Sequence, residues 1–209
     1  MATATLKKRL PVFGPESNGI PMTPREFDRA DFVEGWRYEL INGVLVVSST
    51  PSRNERDPNQ ELGYLLRIYQ ETHPQGAILD VTLPEEVIAT GVNRRRADRV
   101  IWTGLGRLPT RDDIPSIIAE FVSAGRRHWL RDYETKRDEY MAIGVKQYWI
   151  INRFDHTLTV YTFQGRRARK RVYHQNQTYK TDLLPGFELP LGRLFALADR
   201  WQGEESALD

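Results

Sequence analysis

The chain contains no cysteine, which excludes disulfide bonds, thiolate zinc sites and cysteine nucleophiles. It also lacks a run of about 18 apolar residues, the length that a membrane-spanning helix needs, and its N-terminus has no apolar core long enough for a secretory signal. With 30 basic and 28 acidic residues, the net charge is only +2, so the overall charge does not indicate a nucleic-acid partner. We therefore expect a cytoplasmic protein with no membrane association.

The length and composition predict one globular domain. The chain has 209 residues, of which 40% are hydrophobic, enough for a sizeable core. Residues 1–21 carry several Pro, Gly and Ser residues and a short basic run, which is typical of a flexible arm. We predict a folded domain over residues 22–197, preceded by this arm and followed by a polar tail over residues 198–209.

A short apolar run with one carboxylate in its middle is the most informative stretch. Residues 117–122 read IIAEFV, a pattern that predicts a strand buried on both faces. Burying the carboxylate of Glu120 is costly unless a cation or hydrogen-bond donors meet it. Glu120 is therefore predicted either to pair with an arginine or to act as a ligand.

The next segment predicts a helix from Trp129 to Ile143, which ends at Gly144. Lys136 lies on the same stripe as the aromatic residues Tyr133 and Tyr140, so it falls on the buried side of this helix. One interpretation is that Lys136 extends along the tyrosines or bridges to a carboxylate one turn away. The other is that it meets Glu120.

A second carboxylate lies upstream. Asp98 alternates with Arg99 and shares its predicted strand face with Val100 and Trp102. If this strand pairs with residues 117–122, Asp98 and Glu120 converge. Two carboxylates suit Mg²⁺, which polarises a phosphate and activates water. A lysine nearby can stabilise the charge that develops on the phosphorane, so the set points to phosphodiester hydrolysis.

These residues resemble the Uma2 family (formerly DUF820), a family of endonucleases in the PD-(D/E)XK, restriction-endonuclease-like superfamily. The resemblance rests on Asp98, Glu120 within EFVS, Lys136 before YMAIGVKQYW, YELING at residues 38–43 and LPGF at residues 184–187. It implies an α/β fold with a restriction-endonuclease-like mixed β-sheet core flanked by helices and additional antiparallel strands.

The resemblance also implies an activity and a set of roles. The expected function is a Mg²⁺-dependent (or Mn²⁺-dependent) DNA endonuclease that works as a homodimer. Asp98 and Glu120 would hold the metal, Lys136 would orient the attacking water, and Glu39 would supply a further acidic ligand. In the commoner superfamily pattern the lysine follows the glutamate by two residues. That position is Val122 here, so Lys136 has to reach in from the helix.

Two other interpretations remain open. The fold could be a catalytically inactive module that binds nucleic acid or a protein, or the charged residues could form a purely structural ion-pair network. Residues 166–171 contain the densest basic cluster, with Arg166, Arg167, Arg169, Lys170 and Arg171. That cluster fits a solvated strand edge as well as a DNA-contact surface.

The remaining segments give local predictions. Thr23 and Glu26 form a capping-box pattern that predicts a short helix ending near Asp31. Asn42-Gly43 predicts a hairpin turn. The polar residues 51–60 predict a loop, and the apolar stripe that follows them predicts a helix up to His73. Strands are predicted over residues 78–83 and 86–89, and an antiparallel meander is predicted over residues 158–183.

Overall fold

The computed structural model describes residues 11–123 and 131–201. The chain divides into two compact units. Unit 1 contains Met1–Thr50 and Val87–Arg96, and unit 2 contains Pro51–Glu86 and Ala97–Asp209. The domain boundaries expected from the sequence stay predictions.

Unit 1 is built around a β-hairpin. Its elements are β1 (Val12–Phe13), a 3-10 turn (Pro15–Ser17), α1 (Pro24–Phe27), β2 (Asp31–Phe32), β3 (Trp36–Ile41) and β4 (Val44–Ser49). β1 pairs with β2 in parallel, and β3 pairs with β4 antiparallel. Unit 1 also holds the last residues of β5 (Leu79–Thr90) and the first residues of β6 (Asn93–Thr103).

Two sequence signals in unit 1 are confirmed. The Thr23 N–H donates to Glu26 Oε2 at 2.8 Å and the Glu26 N–H donates to Thr23 Oγ1 at 3.2 Å, so the capping box starts α1, although the helix ends at Phe27. Asn42 and Gly43 have φ values of 50° and 76°, the left-handed pair that a two-residue hairpin turn requires. The small core of the unit is formed by Met22, Phe27, Tyr38, Leu40 and Leu45.

Unit 2 contains most of the regular structure. Its further elements are α2 (Arg53–Thr72), a 3-10 turn (Gly76–Ile78), β7 (Ile117–Phe121), a π-helical turn (Arg131–Thr135), α3 (Lys136–Ile143), β8 (Gln147–Asn152), β9 (Thr157–Gln164), β10 (Arg167–His174), β11 (Thr178–Thr181), β12 (Leu184–Pro190) and α4 (Leu191–Asp199).

The strands of unit 2 form a mixed sheet in the order β10-β9-β8-β7-β6. Only β7 and β8 pair in parallel along this path, and the other neighbours are antiparallel. One face of the sheet packs against α2 and α4 through a core that includes Ile101, Ala119, Trp149, Leu66 and Leu194. We call this face the α2 face. The other face carries Glu120 and meets α3, and we call it the α3 face. A mixed sheet flanked by helices confirms the predicted fold class.

Three local predictions are wrong. Residues 51–60 are not a loop, because α2 begins at Arg53 and runs through Pro58. The Ser52 N–H donates to Glu55 Oε2 at 2.8 Å, which fixes the start of this helix. β5 is one continuous strand rather than two. The predicted meander holds only for β9 and β10, because its third strand, β11, pairs with β12 in a separate two-stranded sheet. After β12 the chain forms α4, over residues for which the sequence pattern makes no prediction.

The central helix ends where the sequence predicts. Gly144 lies at φ 95° immediately after Ile143, a left-handed conformation that terminates helices at little cost to glycine. The predicted start at Trp129 lies outside the described residues. No helix in the part of the chain that the structure describes is long and apolar enough to cross a membrane.

Candidate active site

Glu120 and Lys136 meet on the α3 face. Lys136 Nζ lies 2.7 Å from Glu120 Oε1, and the two side chains are only 2% and 3% exposed. The Tyr140 hydroxyl donates to the same carboxylate oxygen at 2.9 Å. The first turn of α3 therefore places a cation, and its second turn a hydroxyl donor, against the carboxylate in the middle of β7. This contact compensates the cost of burying both charges.

A π-helical turn precedes α3. It covers Arg131–Thr135, and Lys136 is the first residue of the regular α-helix. Such a turn contains one more residue than an α-helical turn and rotates the residues around it on the helix surface. Within the regular α-helix, Lys136 and Tyr140 are four residues apart and therefore lie on the same side, where both contact Glu120. The aromatic packing of Tyr140 against Tyr148, with ring centroids 5.1 Å apart, then holds α3 on the strand next to β7.

Asp98 lies beside Glu120. β6 and β7 pair antiparallel, with Val100 opposite Ile118 and Arg99 opposite Ala119. Continuing this register places Asp98 opposite Glu120, so the two carboxylates share the α3 face. Asp98 Oδ2 accepts a hydrogen bond from the Phe121 N–H at 2.7 Å. The structure thus brings Asp98, Glu120 and Lys136 together within unit 2.

Glu39, the fourth predicted site residue, lies in unit 1. It is buried in β3, and its Oε1 accepts a hydrogen bond from the Arg96 N–H at 3.1 Å. This bond ties the carboxylate to the first part of β6. Its predicted role as a further acidic ligand stays a prediction.

A carboxylate that the sequence interpretation missed is Glu55, in the first turn of α2. It is buried, and this burial raises the pKa of its carboxyl group, an effect to which the negative charge of Asp98 adds. Hydrogen bonds from Ser123 and from the Ser52 N–H, together with the charge of Arg153, act in the opposite direction. Glu55 therefore belongs to the electrostatic surroundings of Asp98. The signal that could have located it is the Ser52-x-x-Glu55 capping box, which predicts a helix start.

Asn59 supports the same strand from the α2 face. Its Nδ2 donates to the Asp98 carbonyl oxygen at 2.9 Å, and its Oδ1 accepts from Arg99 Nε at 2.7 Å. The two adjacent residues of β6 are thus fixed by one buried amide. Nothing in the local sequence pattern indicates this role, because Asn59 lies in the polar stretch that predicts a loop.

The donor set of Asp98 and Glu120 fits a divalent cation that takes oxygen ligands. Asp98 and Glu120 offer hard carboxylate oxygens, and Mg²⁺ is commonly held by one or two protein carboxylates together with water and substrate phosphate. No group of three His, Asp or Glu side chains placed to hold a metal occurs within residues 11–123 and 131–201. A closed protein cage of the zinc type is therefore not formed by the described residues.

The comparisons with known proteins agree with this architecture. A model of the Uma2 family, described as "Putative restriction endonuclease", matches residues 24–192. A crystal structure of a "putative nuclease belonging to DUF820" from Anabaena variabilis ATCC 29413 superposes with a TM-score of 0.66. It is 16% identical and covers 85% of this chain and 99% of its own, a likeness that establishes the fold. The comparison with curated proteins gave no match.

Family and fold are thus those of a restriction-endonuclease-like nuclease. The family match includes every site residue named above: Glu39, Glu55, Asn59, Asp98, Glu120, Lys136 and Tyr140. Since it spans most of the sequence, the chain belongs to the Uma2 family.

Proposed function

We propose that this protein is a Mg²⁺-dependent endonuclease that hydrolyses phosphodiester bonds in DNA. The observation that carries the proposal is the buried contact of Lys136 with Glu120 on the strand beside Asp98. An ammonium group and two carboxylates are costly to gather in a protein interior. Such a group is typical of a site that handles a charged substrate and a cation.

Asp98 and Glu120 would hold the metal. A divalent ion bound there supplies Lewis-acid polarisation of the phosphate and lowers the pKa of a coordinated water. The two carboxylates lie on neighbouring strands, and each is held in place by hydrogen bonds, from the Phe121 N–H to Asp98 and from Tyr140 to Glu120. Both oxygen donors are thus oriented before any ligand arrives, which reduces the free-energy cost of binding.

Lys136 would act on the developing charge. Its ammonium group is buried and anchored at Glu120, in surroundings where charge interactions are stronger than in water. We assign it the orientation of the attacking water and the stabilisation of the phosphorane. Glu39 stays the proposed further acidic ligand, and Glu55 is added as a carboxylate that acts electrostatically on Asp98.

Nicking of a supercoiled plasmid tests the activity. Wild-type protein should convert it to open circles with Mg²⁺ or Mn²⁺ and should leave it intact in EDTA. Glu120→Gln and Asp98→Asn should each abolish nicking, while Glu71→Gln, which neutralises an exposed carboxylate on α2, should cut like wild type. If a folded Glu120→Gln protein still nicks the plasmid, the assignment of the active site to Glu120 is wrong.

The same assay separates the alternatives. An inactive binding module would bind DNA without turnover under any metal condition. A purely structural ion-pair network would show neither turnover nor metal binding. The homodimer, the DNA specificity and the cytoplasmic location stay predictions. Light scattering of the purified protein with and without DNA tests the homodimer.

A further inference from the structure

A wide groove lies on the α2 face, away from Glu120. It has a volume of about 650 Å³ and lies between β9, β10 and the segment Tyr179–Asp182. Its floor carries the neutral polar residues Thr162 and Gln164 of β9. Its cationic wall is formed by Arg167, Arg169 and Arg171 of β10.

Strand register shows that these arginines lie on the α2 face. Arg169 is opposite Thr162, and Thr162 is opposite Gln147. The residues between them follow the other face, where Lys170 is opposite Tyr161 and Tyr161 is opposite Tyr148. Tyr148 shares its face with Ile118 and hence with Glu120. The basic cluster of residues 166–171 is thus divided, with alternate side chains of β10 serving opposite surfaces.

The groove is strongly positive. Arg167, Arg169 and Arg171 are exposed, and none forms an ion pair with any residue in the part of the chain that the structure describes. Lys180 lines the groove and pairs with Glu188, and Asp182 is the carboxylate in the lining. A solvated edge needs only scattered lysines to prevent strand addition. A row of guanidinium groups along one wall of a groove is instead suited to phosphates, which arginine binds through its planar fork.

We propose that this groove binds a single strand of nucleic acid, with its phosphates along the arginine row. Alternate residues of a strand are about 6.8 Å apart, so the three guanidinium groups form a linear track for an extended chain. The volume is within the range of about 300–1,000 Å³ of ligand sites, which fits a short single-stranded segment rather than the full width of a duplex. The half-buried ring of Tyr173 lies in the same lining and offers a surface on which a base can stack.

The inference rests on the proposed function only in choosing nucleic acid as the polyanion. Its site is separate from the catalytic one, since the arginines and Glu120 lie on opposite faces of one sheet. The groove would hold a strand away from the point of cleavage. It therefore adds a second contact to a nuclease that acts on DNA.

Fluorescence anisotropy of a labelled oligothymidine in EDTA tests the groove without cleavage. For a single strand, the slope of log K against log salt is about −0.7 per phosphate neutralised. The triple change Arg167→Gln, Arg169→Gln and Arg171→Gln should therefore reduce the slope by about 2 and weaken binding near 0.1 M salt on the order of 100-fold. The triple change to lysine should retain most of the slope, because the charge is kept.

Lys170 provides the matched control. Arg169→Gln and Lys170→Gln each remove one positive charge from adjacent exposed positions of β10, but only Arg169 lines the groove. Arg169→Gln should reduce the slope by about 0.7 and Lys170→Gln should leave it unchanged. Equal effects of the two changes on the slope would show that the oligonucleotide is held by general electrostatic attraction, and would contradict binding in the groove. Tighter binding of a duplex, or equal competition by polyglutamate, would overturn the single-strand assignment.

The binding and nicking assays distinguish a wrong assignment of the groove from a wrong assignment of the nuclease activity. If wild type does not nick DNA but binds the oligonucleotide through its arginines, the groove stands and the proposed activity fails. If wild type nicks DNA and the triple glutamine variant binds as tightly as wild type, the activity stands and the groove fails.

Discussion

Two buried cations among the described residues of unit 2, Lys136 and Arg99, are held in opposite ways. On the α3 face, Lys136 meets the carboxylate of Glu120 directly. On the α2 face, Arg99 donates its hydrogen bonds to neutral groups: Nε and Nη2 donate to Asn59, and Nη1 donates to Thr82. The charge that acts on it there is the positive charge of Arg67, which adds to the effect of burial. Burial lowers the pKa of Arg99 to about 10, so its guanidinium group still carries a charge at neutral pH.

Over the described ranges of the chain, Lys136 is paired with a carboxylate and Arg99 is not, so the two buried charges are expected to have different roles. Dipoles and carbonyl oxygens can solvate Arg99 without engaging any acidic group, so its burial is independent of the carboxylates. The Lys136 contact instead links the stability of the fold to the same carboxylate that is proposed to bind metal. Removal of one partner there leaves an uncompensated charge. We therefore expect changes around Lys136 to affect stability and activity together, and changes around Arg99 to affect stability alone.

The largest expected effect is that of Lys136→Met. The methionine keeps an aliphatic side chain against the sheet but leaves Glu120 buried without its cation. The free energy of unfolding should fall by about 3–5 kcal/mol, and plasmid nicking by the remaining folded protein should fall by about 10²–10³-fold. Urea unfolding in EDTA and nicking at a temperature where the variant is folded measure the two quantities.

A double variant distinguishes the origins of these losses. Lys136→Met with Glu120→Gln removes both charges, so most of the lost stability should return while nicking stays absent. Lys180→Met is the surface control, because Lys180 forms an exposed ion pair with Glu188 and should change stability by less than about 1 kcal/mol. Wild-type nicking by folded Lys136→Met protein would contradict the catalytic assignment.

The corresponding change on the α2 face is Gly63→Ala. A Cβ at Gly63 would lie 2.6 Å from Arg99 Nη2 and 2.8 Å from Nη1, closer than packed atoms allow. The guanidinium group cannot retreat without giving up its buried hydrogen bonds, so we expect a loss of about 1–3 kcal/mol in unfolding free energy.

Nicking measured on the same Gly63→Ala protein sharpens the comparison. If Arg99 serves stability alone, the rate per folded molecule should equal that of wild type, in contrast to Lys136→Met. A rate that falls as far as that of Lys136→Met would show that Arg99 acts on Asp98 through Asn59, and the two cations would then share a role.

The parts of this site that the sequence predicts are those with a local pattern. An apolar run identifies the strand of Glu120, alternation assigns Asp98 to a face, and helical spacing assigns Lys136 to the buried stripe. The family resemblance adds Glu39. Whether these groups meet depends on strand order and register, which periodicity does not specify.

The parts that the sequence does not predict lie on the first half of α2. The stretch is polar and contains Pro58, and both properties favour a loop. In the structure two of its polar residues are buried because they have partners elsewhere in unit 2: Asn59 at β6, and Glu55 at Ser123 and Arg153. Such contacts join residues distant in sequence, so no local propensity encodes them. Only the capping-box spacing of Ser52 and Glu55 indicates the helix.

Metal binding should stabilise the wild-type protein through the α3 face. A ligand that binds only the folded state adds RT ln(1 + [L]/Kd), which is about 1.4 kcal/mol at ten times the dissociation constant. Mg²⁺ should therefore raise Tm in wild type and in Gly63→Ala, while Glu120→Gln should show no shift. Differential scanning fluorimetry across a Mg²⁺ titration measures this effect. An equal shift in Glu120→Gln would place the ion elsewhere.

The smallest expected effect on stability concerns Glu55, another buried charged residue of unit 2. Its pKa is raised above 4.5 chiefly by burial, and the charge of Asp98 adds to the shift. Above the raised pKa, the folded state carries an ionised group that burial disfavours. Below pH 4.5 the group is protonated in the folded and unfolded states and contributes nothing. The destabilising contribution thus grows as pH rises through the interval between the two pKa values.

Glu55→Gln should therefore increase the free energy of unfolding more at pH 8 than at pH 4, with Glu71→Gln as the exposed control. Urea unfolding in EDTA at both values measures the difference. A glutamine can still accept the hydrogen bond that the Ser52 N–H donates at 2.8 Å, so the start of α2 is preserved. If Glu55→Gln instead lowers stability at pH 8, the hydrogen bonds and the charge of Arg153 outweigh burial. Glu55 would then be held by compensation, as Glu120 is.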